Sequence, residues 1–166
     1  MATGRGNQLT KQVGEYLVAA ELCRRGFIAT TFTGNVPYYD IVASSSHGRT
    51  ALLQVKTINA GDWQFDIRRF ADFRLTGKKQ LFKKMLPPTI SNLICVFVLL
   101  DAHGQDKFFI FPWRRLQIIL VNGYRDFLAA HGGKRPRKSE SFHSIVQPWQ
   151  VAKYENNWQV IETRLK

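Results

Sequence analysis

Three polar side chains fall in a strand pair that has no structural use for them. Tyr38-Tyr39-Asp40-Ile41-Val42-Ala43 and Ala51-Leu52-Leu53-Gln54-Val55-Lys56-Thr57 are apolar and rich in β-branched residues. The polar run Ser44-Ser45-Ser46-His47-Gly48-Arg49 lies between them, which is the pattern of a β-hairpin with a loop longer than two residues. Side chains alternate along a strand, so Gln54 and Lys56 share one face while Leu53 and Val55 take the other. Asp40 opens the partner strand on the face of Val42, and normal register brings acid, amide and amine to one corner. A carboxylate and an amide oxygen are ligands that a hard cation prefers. An adjacent amine can orient or deprotonate a water, or offset charge growing on an oxyanion. Together these groups suit hydrolysis of a phosphodiester, which needs an activated water and relief of charge on phosphate oxygens. Taken singly, Asp40 reads as a strand-initial turn acid and Lys56 as a surface lysine whose stem covers apolar area. Their coincidence is what points to a site.

The elements around this pair must position it. From about Asn7 to Arg25 the pattern is helical: Leu9, Val13, Leu17 and Ala20 recur at three- and four-residue steps, and Val18 and Leu22 widen the stripe. Asn7 is the expected N-cap, Gly26 the expected C-terminal glycine, and Met1–Gly6 a frayed end. Glu15 borders the stripe and can reach the strand pair, although a solvated or capping role is the plainer reading. Phe27–Phe32 predicts a strand, Thr33–Pro37 a turn, and Trp63–Ile67 a short strand. Arg68–Met85 is basic with interleaved aromatics and is expected to be part helix, part loop. Leu93–Leu100 and Lys107–Phe111 predict a second hairpin. A helix is expected from Pro112 to about Leu120 and another over Tyr124–Ala130, before a basic loop over Gly132–Ser141. Pro148–Lys166 is amphipathic enough to pack back. This order predicts an α/β or α+β domain over residues 1–166, with a mixed central sheet flanked by helices, a core at about 7–112 and a C-terminal extension at 113–166.

The chain has 166 residues, 24 Lys and Arg against 12 Asp and Glu, and a formal net charge of +12. Such an excess points to a polyanionic partner, nucleic acid first, with an inert basic surface as the plain alternative. Arg68, Arg69, Arg74, Lys78, Lys79, Lys83 and Lys84 make the first expected phosphate-contacting surface, and Lys134, Arg135, Arg137 and Lys138 the second. Cys23 and Cys95 fit buried thiols in a reducing compartment rather than a disulfide or zinc site. No secretory signal is visible and the longest apolar run is too short to span a bilayer, so a cytoplasmic protein is expected. The four histidines fit no metal spacing, and Trp63, Trp113, Trp149 and Trp158 are expected in core or lid packing.

The stretch Gly14–Thr57 resembles the PD-(D/E)XK nuclease superfamily. The helix Gly14-Glu15-Tyr16-Leu17-Val18-Ala19-Ala20-Glu21-Leu22 resembles the first helix of that superfamily, Val36-Pro37-Tyr38-Tyr39-Asp40-Ile41 stands where its first acid lies, and Gln54-Val55-Lys56 where it has acid-x-lysine. The resemblance implies a restriction-endonuclease-like core, a Mg2+ or Mn2+ ion, and cleavage of DNA by a homo-oligomer. It implies Asp40, Gln54, the Val55 carbonyl and Glu15 as metal ligands and Lys56 as the group acting on water or phosphate. Two departures stand out: no proline directly precedes Asp40, and the second acid is the neutral Gln54. Gln54 keeps open a nucleic-acid-binding module of the same fold that does not cut. A subunit whose basic face docks an acidic protein is the third alternative.

Overall fold

A computed structural model of the chain describes residues 4–32, 34 and 36–166. Thr33 and Asn35 of the expected turn, and residues 1–3 of the expected frayed end, lie outside the described residues. Helix α1 (Gly4–Arg24) is followed by strands β1 (Ile28–Thr31), β2 (Ile41–Ser44) and β3 (Thr50–Ile58). Next come β4 (Trp63–Asp66), a 3-10 turn (Ile67–Arg69), and the pair β5 (Ala71–Thr76) and β6 (Lys79–Met85). Strands β7 (Ile94–Leu99) and β8 (Lys107–Pro112) lead into α2 (Trp113–Ala130), β9 (His143–Val146), α3 (Pro148–Val151) and α4 (Gln159–Leu165). A five-stranded sheet runs β1-β2-β3-β7-β8, antiparallel except between β3 and β7. The fold is therefore α+β, a mixed sheet flanked by helices.

Alternation along the strands divides the core in two. Leu53 and Val55 of β3 join Val18 and Leu22 of α1 and Ile161 and Leu165 of α4 on one side. On the other side Phe97 and Phe111 meet Trp63, Phe65 and the α2 row Leu116, Leu120 and Tyr124. Trp63 lies 4.8 Å from the Phe97 ring centroid and 5.8 Å from that of Phe109. Aromatic contacts at such distances fix orientation as well as burying area.

Several elements differ from the sequence expectation. Asn7 lies inside α1 rather than capping it. Leu9 and Val13 are exposed, and the buried face is Gly14, Glu15, Val18 and Leu22. The reason is Gly14: a Cβ built there would stand 1.8 Å from Thr57 Oγ1, so the helix backbone rests directly on β3. Cys23 is exposed on the turned-away face, and only Cys95 is buried. Gly26 ends the helix as expected: at φ +84° it lets the amide of Phe27 reach the Leu22 carbonyl.

Residues 71–85 form an antiparallel ribbon and contain no helix. Ala71, Phe73, Gln80 and Phe82 point inward at strand spacing, and Gly77, at φ +58°, is the first residue of a two-residue turn. Helix α2 is continuous through Gly123, because Leu116, Leu120, Tyr124 and Leu128 keep one buried row on either side of it. The segment after residue 112 is woven in rather than appended, since β9 pairs with β4 and carries His143 in the strand. Trp149 is exposed, whereas Trp63, Trp113 and Trp158 are buried.

The contact at Gly14 sets a measurable constraint. Alanine favours a helix over glycine by about 1 kcal/mol, yet Gly14→Ala is expected to destabilise by about 1–3 kcal/mol, because overpacking exceeds that gain. In a Thr57→Gly background most of this cost disappears. Urea unfolding of the double-mutant cycle measures the coupling.

Candidate active site

The site forms where β2 parts from β3. The last paired residue is Ile41, opposite Leu53. Asp40 then donates its amide to the Leu53 carbonyl at 2.8 Å, while its Oδ2 accepts from the Val55 amide at 2.9 Å. The Asp40 carboxylate thus takes the ladder position that the next residue of β2 would have filled. In an antiparallel ladder the N–H and C=O of one residue point the same way, so the Val55 carbonyl also faces this gap.

Helix α1 supplies the other side. Glu15, only 9% exposed, lies beside the gap because Gly14 seats the helix so closely. Lys11, one helical turn earlier, places its ammonium 3.3 Å from Glu15 Oε1 and 3.2 Å from Asp40 Oδ1. Two carboxylates from separate elements thus converge on one cationic group. Burial raises the Glu15 pKa above the ordinary value, and Asp40 adds to the rise against the opposing pull of Lys11. Burial works against the charge on Lys11, but Asp40 and then Glu15 outweigh it and hold the ammonium pKa above its usual value. Lys11 was not among the residues singled out in the sequence. Its four-residue spacing from Glu15 was the available signal.

Gln54 and Lys56 stand on the opposite face of β3. Gln54 lines a cavity of about 220 Å³ with Tyr38, Arg69, Phe70 and Trp113. The Lys56 ammonium lies 5.4 Å from the Phe65 ring centroid, and the Trp63 indole donates to the Lys56 carbonyl at 3.0 Å. Burial lowers the Lys56 pKa, Arg69 lowers it further, and Asp40 opposes them. The structure therefore brings Asp40, Glu15, Lys11 and the Val55 amide into direct contact. Gln54, Lys56 and Arg69 approach the same strand segment from the other side.

Among the described residues no group of three or more His, Cys, Asp or Glu is placed to hold a metal. The donors that do converge are all oxygen, and the Lys11 ammonium already stands between two carboxylates. That chemistry fits a hard divalent cation resting on Asp40 and Glu15 with neutral oxygens completing the set. The basic residues spread over two surfaces. Arg74, Lys83 and Lys84 line one groove with Arg68, whose guanidinium is held by Asp66 at 3.0 and 3.1 Å. Arg135, Arg137 and Lys138 line a second groove, with Lys134 just before it in the chain.

A bacterial homing endonuclease, I-Ssp6803I, has this fold. The match covers 94% of this chain and 93% of that one, at 13% identity and a TM-score of 0.51. No protein-family model matches the chain, and no curated protein matches it. Among the described residues no helix is long and apolar enough to cross a membrane.

Removing the bridging ammonium exposes its role. Lys11→Met is expected to lower stability by about 1–2 kcal/mol at neutral pH, because a buried carboxylate loses its counter-charge. The Glu15 pKa is raised in the folded state, so the cost of holding it charged is relieved as pH falls through that value. The deficit of the variant should shrink over the same range. Urea unfolding at several pH values reads it, and a pH-independent deficit would reduce Lys11 to packing of its stem.

Proposed function

We propose that the chain is a divalent-metal-dependent DNA endonuclease of the PD-(D/E)XK type. The observation that carries this reading is the convergence of Asp40 and Glu15 on one cation-sized position, with Lys56 on the other face of the same strand. It sits on a fold shared with a homing endonuclease, in a chain of net charge +12. A bound Mg2+ or Mn2+ supplies Lewis acidity, lowering the pKa of a water and offsetting charge on the phosphate.

The residues divide the remaining work. Asp40, Glu15 and the Val55 carbonyl would hold the ion from one side of β3, and the Gln54 amide oxygen would complete the set from the other. Asp40 is itself oriented by the Val55 amide, so its second oxygen, the one facing Lys11, keeps a fixed direction. Lys56, whose burial favours the neutral amine more than water does, accepts a proton from the attacking water or donates to the phosphate. Arg69, at the cavity beside Gln54, meets the phosphate oxygens. A duplex has two strands to cut, and we place two or more copies at each site. The exposed Leu9, Val13 and Tyr16 on α1 offer an apolar row for that contact.

Supercoiled plasmid and branched DNA incubated with Mg2+ or Mn2+ test the reading. Wild type is expected to cut, and Asp40→Ala and Lys56→Ala to lose about 10²-fold or more in rate. Chelator should abolish cutting. Equal cutting by all three proteins would remove the site from this chemistry. Salt-sensitive binding without cutting on any DNA would make the chain a binding module. Gln54→Glu adds a second strand carboxylate and is expected to tighten Mn2+ binding in calorimetry; unchanged affinity would take Gln54 out of the ligand set.

A further inference from the structure

The β5–β6 ribbon has one face that the fold uses and one that it leaves open. Phe73 packs on Tyr124 at 5.2 Å and on Phe82 at 5.6 Å, and Gln80 is buried beneath the strands. The register puts three pairs on the outer face: Asp72 opposite Lys84, Arg74 opposite Leu81, and Thr76 opposite Lys79. All six are exposed. Lys83 sits at a break in the register and is exposed as well. Among the described residues none of Arg74, Lys79, Lys83 and Lys84 has a carboxylate within ion-pairing distance.

We infer that this outer face enters the major groove of duplex DNA and reads base edges. The inference rests on the reading of the chain as a DNA endonuclease. A two-stranded ribbon is one of the shapes that the major groove, about 12 Å wide, admits. Its charge is complementary to DNA, but its composition is more than charge. Arg74 carries the fork that matches the two acceptors of guanine, and Asp72 can accept from cytosine. Leu81, 44% exposed in the middle of the face, gains nothing against a phosphate but gains burial against a thymine methyl. A surface built only for phosphates would carry neither the acid nor the leucine. The groove over Arg135, Arg137 and Lys138 has no carboxylate in its lining and suits backbone contact.

Position supports this assignment. Arg69 and Phe70 line the cavity that holds Gln54, and β5 begins at the next residue. Six residues of strand reach about 20 Å, which is about six base pairs along a duplex at 3.4 Å each. The ribbon therefore reads on one side of the cut, out to about six base pairs from it.

The test is selection of bound duplexes from a randomised library by the full-length protein in chelator, followed by mapping of the cut on the selected duplex with Mg2+. Wild type should show base preference within about six pairs on one side of the cut. Arg74→Lys keeps the charge and loses the fork, so it should relax preference at one or two of those positions by about ten- to hundredfold with the salt slope unchanged. Leu81→Ala should relax a thymine preference. Arg137→Ala with Lys138→Ala should weaken all sequences alike and reduce the salt slope by about 2. Cutting without base preference, or preference untouched by Arg74→Lys and Leu81→Ala, would overturn the ribbon's role and leave the nuclease reading standing. Failure of wild type to bind any duplex would overturn both.

Discussion

The structure depends on the place where β2 stops pairing with β3. Up to Ile41 the two strands exchange main-chain hydrogen bonds, and one residue earlier a side chain takes over. Asp40 satisfies the Val55 amide, so the central strand of the sheet can lose its neighbour without orphaning a buried donor. That substitution turns a carboxylate from a surface group into part of the ladder. It also opens a slot where the β2–β3 pairing ends, into which α1 reaches from one side while Gln54 and Lys56 stand on the other.

The close seat of α1 makes the slot acidic as well as open. A helix at ordinary distance from the sheet would leave Glu15 short of Asp40. With no side chain at position 14, the axis approaches until Thr57 touches the helix backbone, and Glu15 becomes nearly buried. Thr57 Oγ1 is left buried without a hydrogen-bond partner among the described residues. One weak acceptor is given up so that two strong ones can face a shared cation, and in their company Lys11 supplies that charge.

Much of this was legible in the chain. The hairpin of β2 and β3, the face of Gln54 and Lys56, the C-terminal glycine of α1 and the mixed sheet follow from period-two alternation and turn chemistry, which are local. The buried face of α1 was not legible, because Leu9 and Val13 are as apolar as Val18 and Leu22, and Gly14 carries no side chain to mark the contact. The alternation of Ala71, Phe73 and Phe82 in the β5–β6 ribbon is not legible in the sequence, because lysines at positions 78, 79, 83 and 84 obscure it. Lys11 was visible only as a neighbour of Glu15; its second partner arrives from 29 positions further along the chain. That Gln54 and Asp40 would address the gap from different sides was equally out of reach, since period alone treats Asp40 as one more strand residue.

Gln80 ties the two basic surfaces together. Its amide nitrogen donates to the carbonyls of Ser139 and Ser141 at 2.6 and 3.0 Å, and its oxygen accepts from the Tyr124 hydroxyl at 2.7 Å. The ribbon, the 132–141 loop and α2 are thereby pinned at one buried point. A caliper has this property: its two jaws keep a set separation whatever is placed between them. The separation of ribbon and loop is set by this buried point, so neither basic surface has to be ordered when it meets a partner.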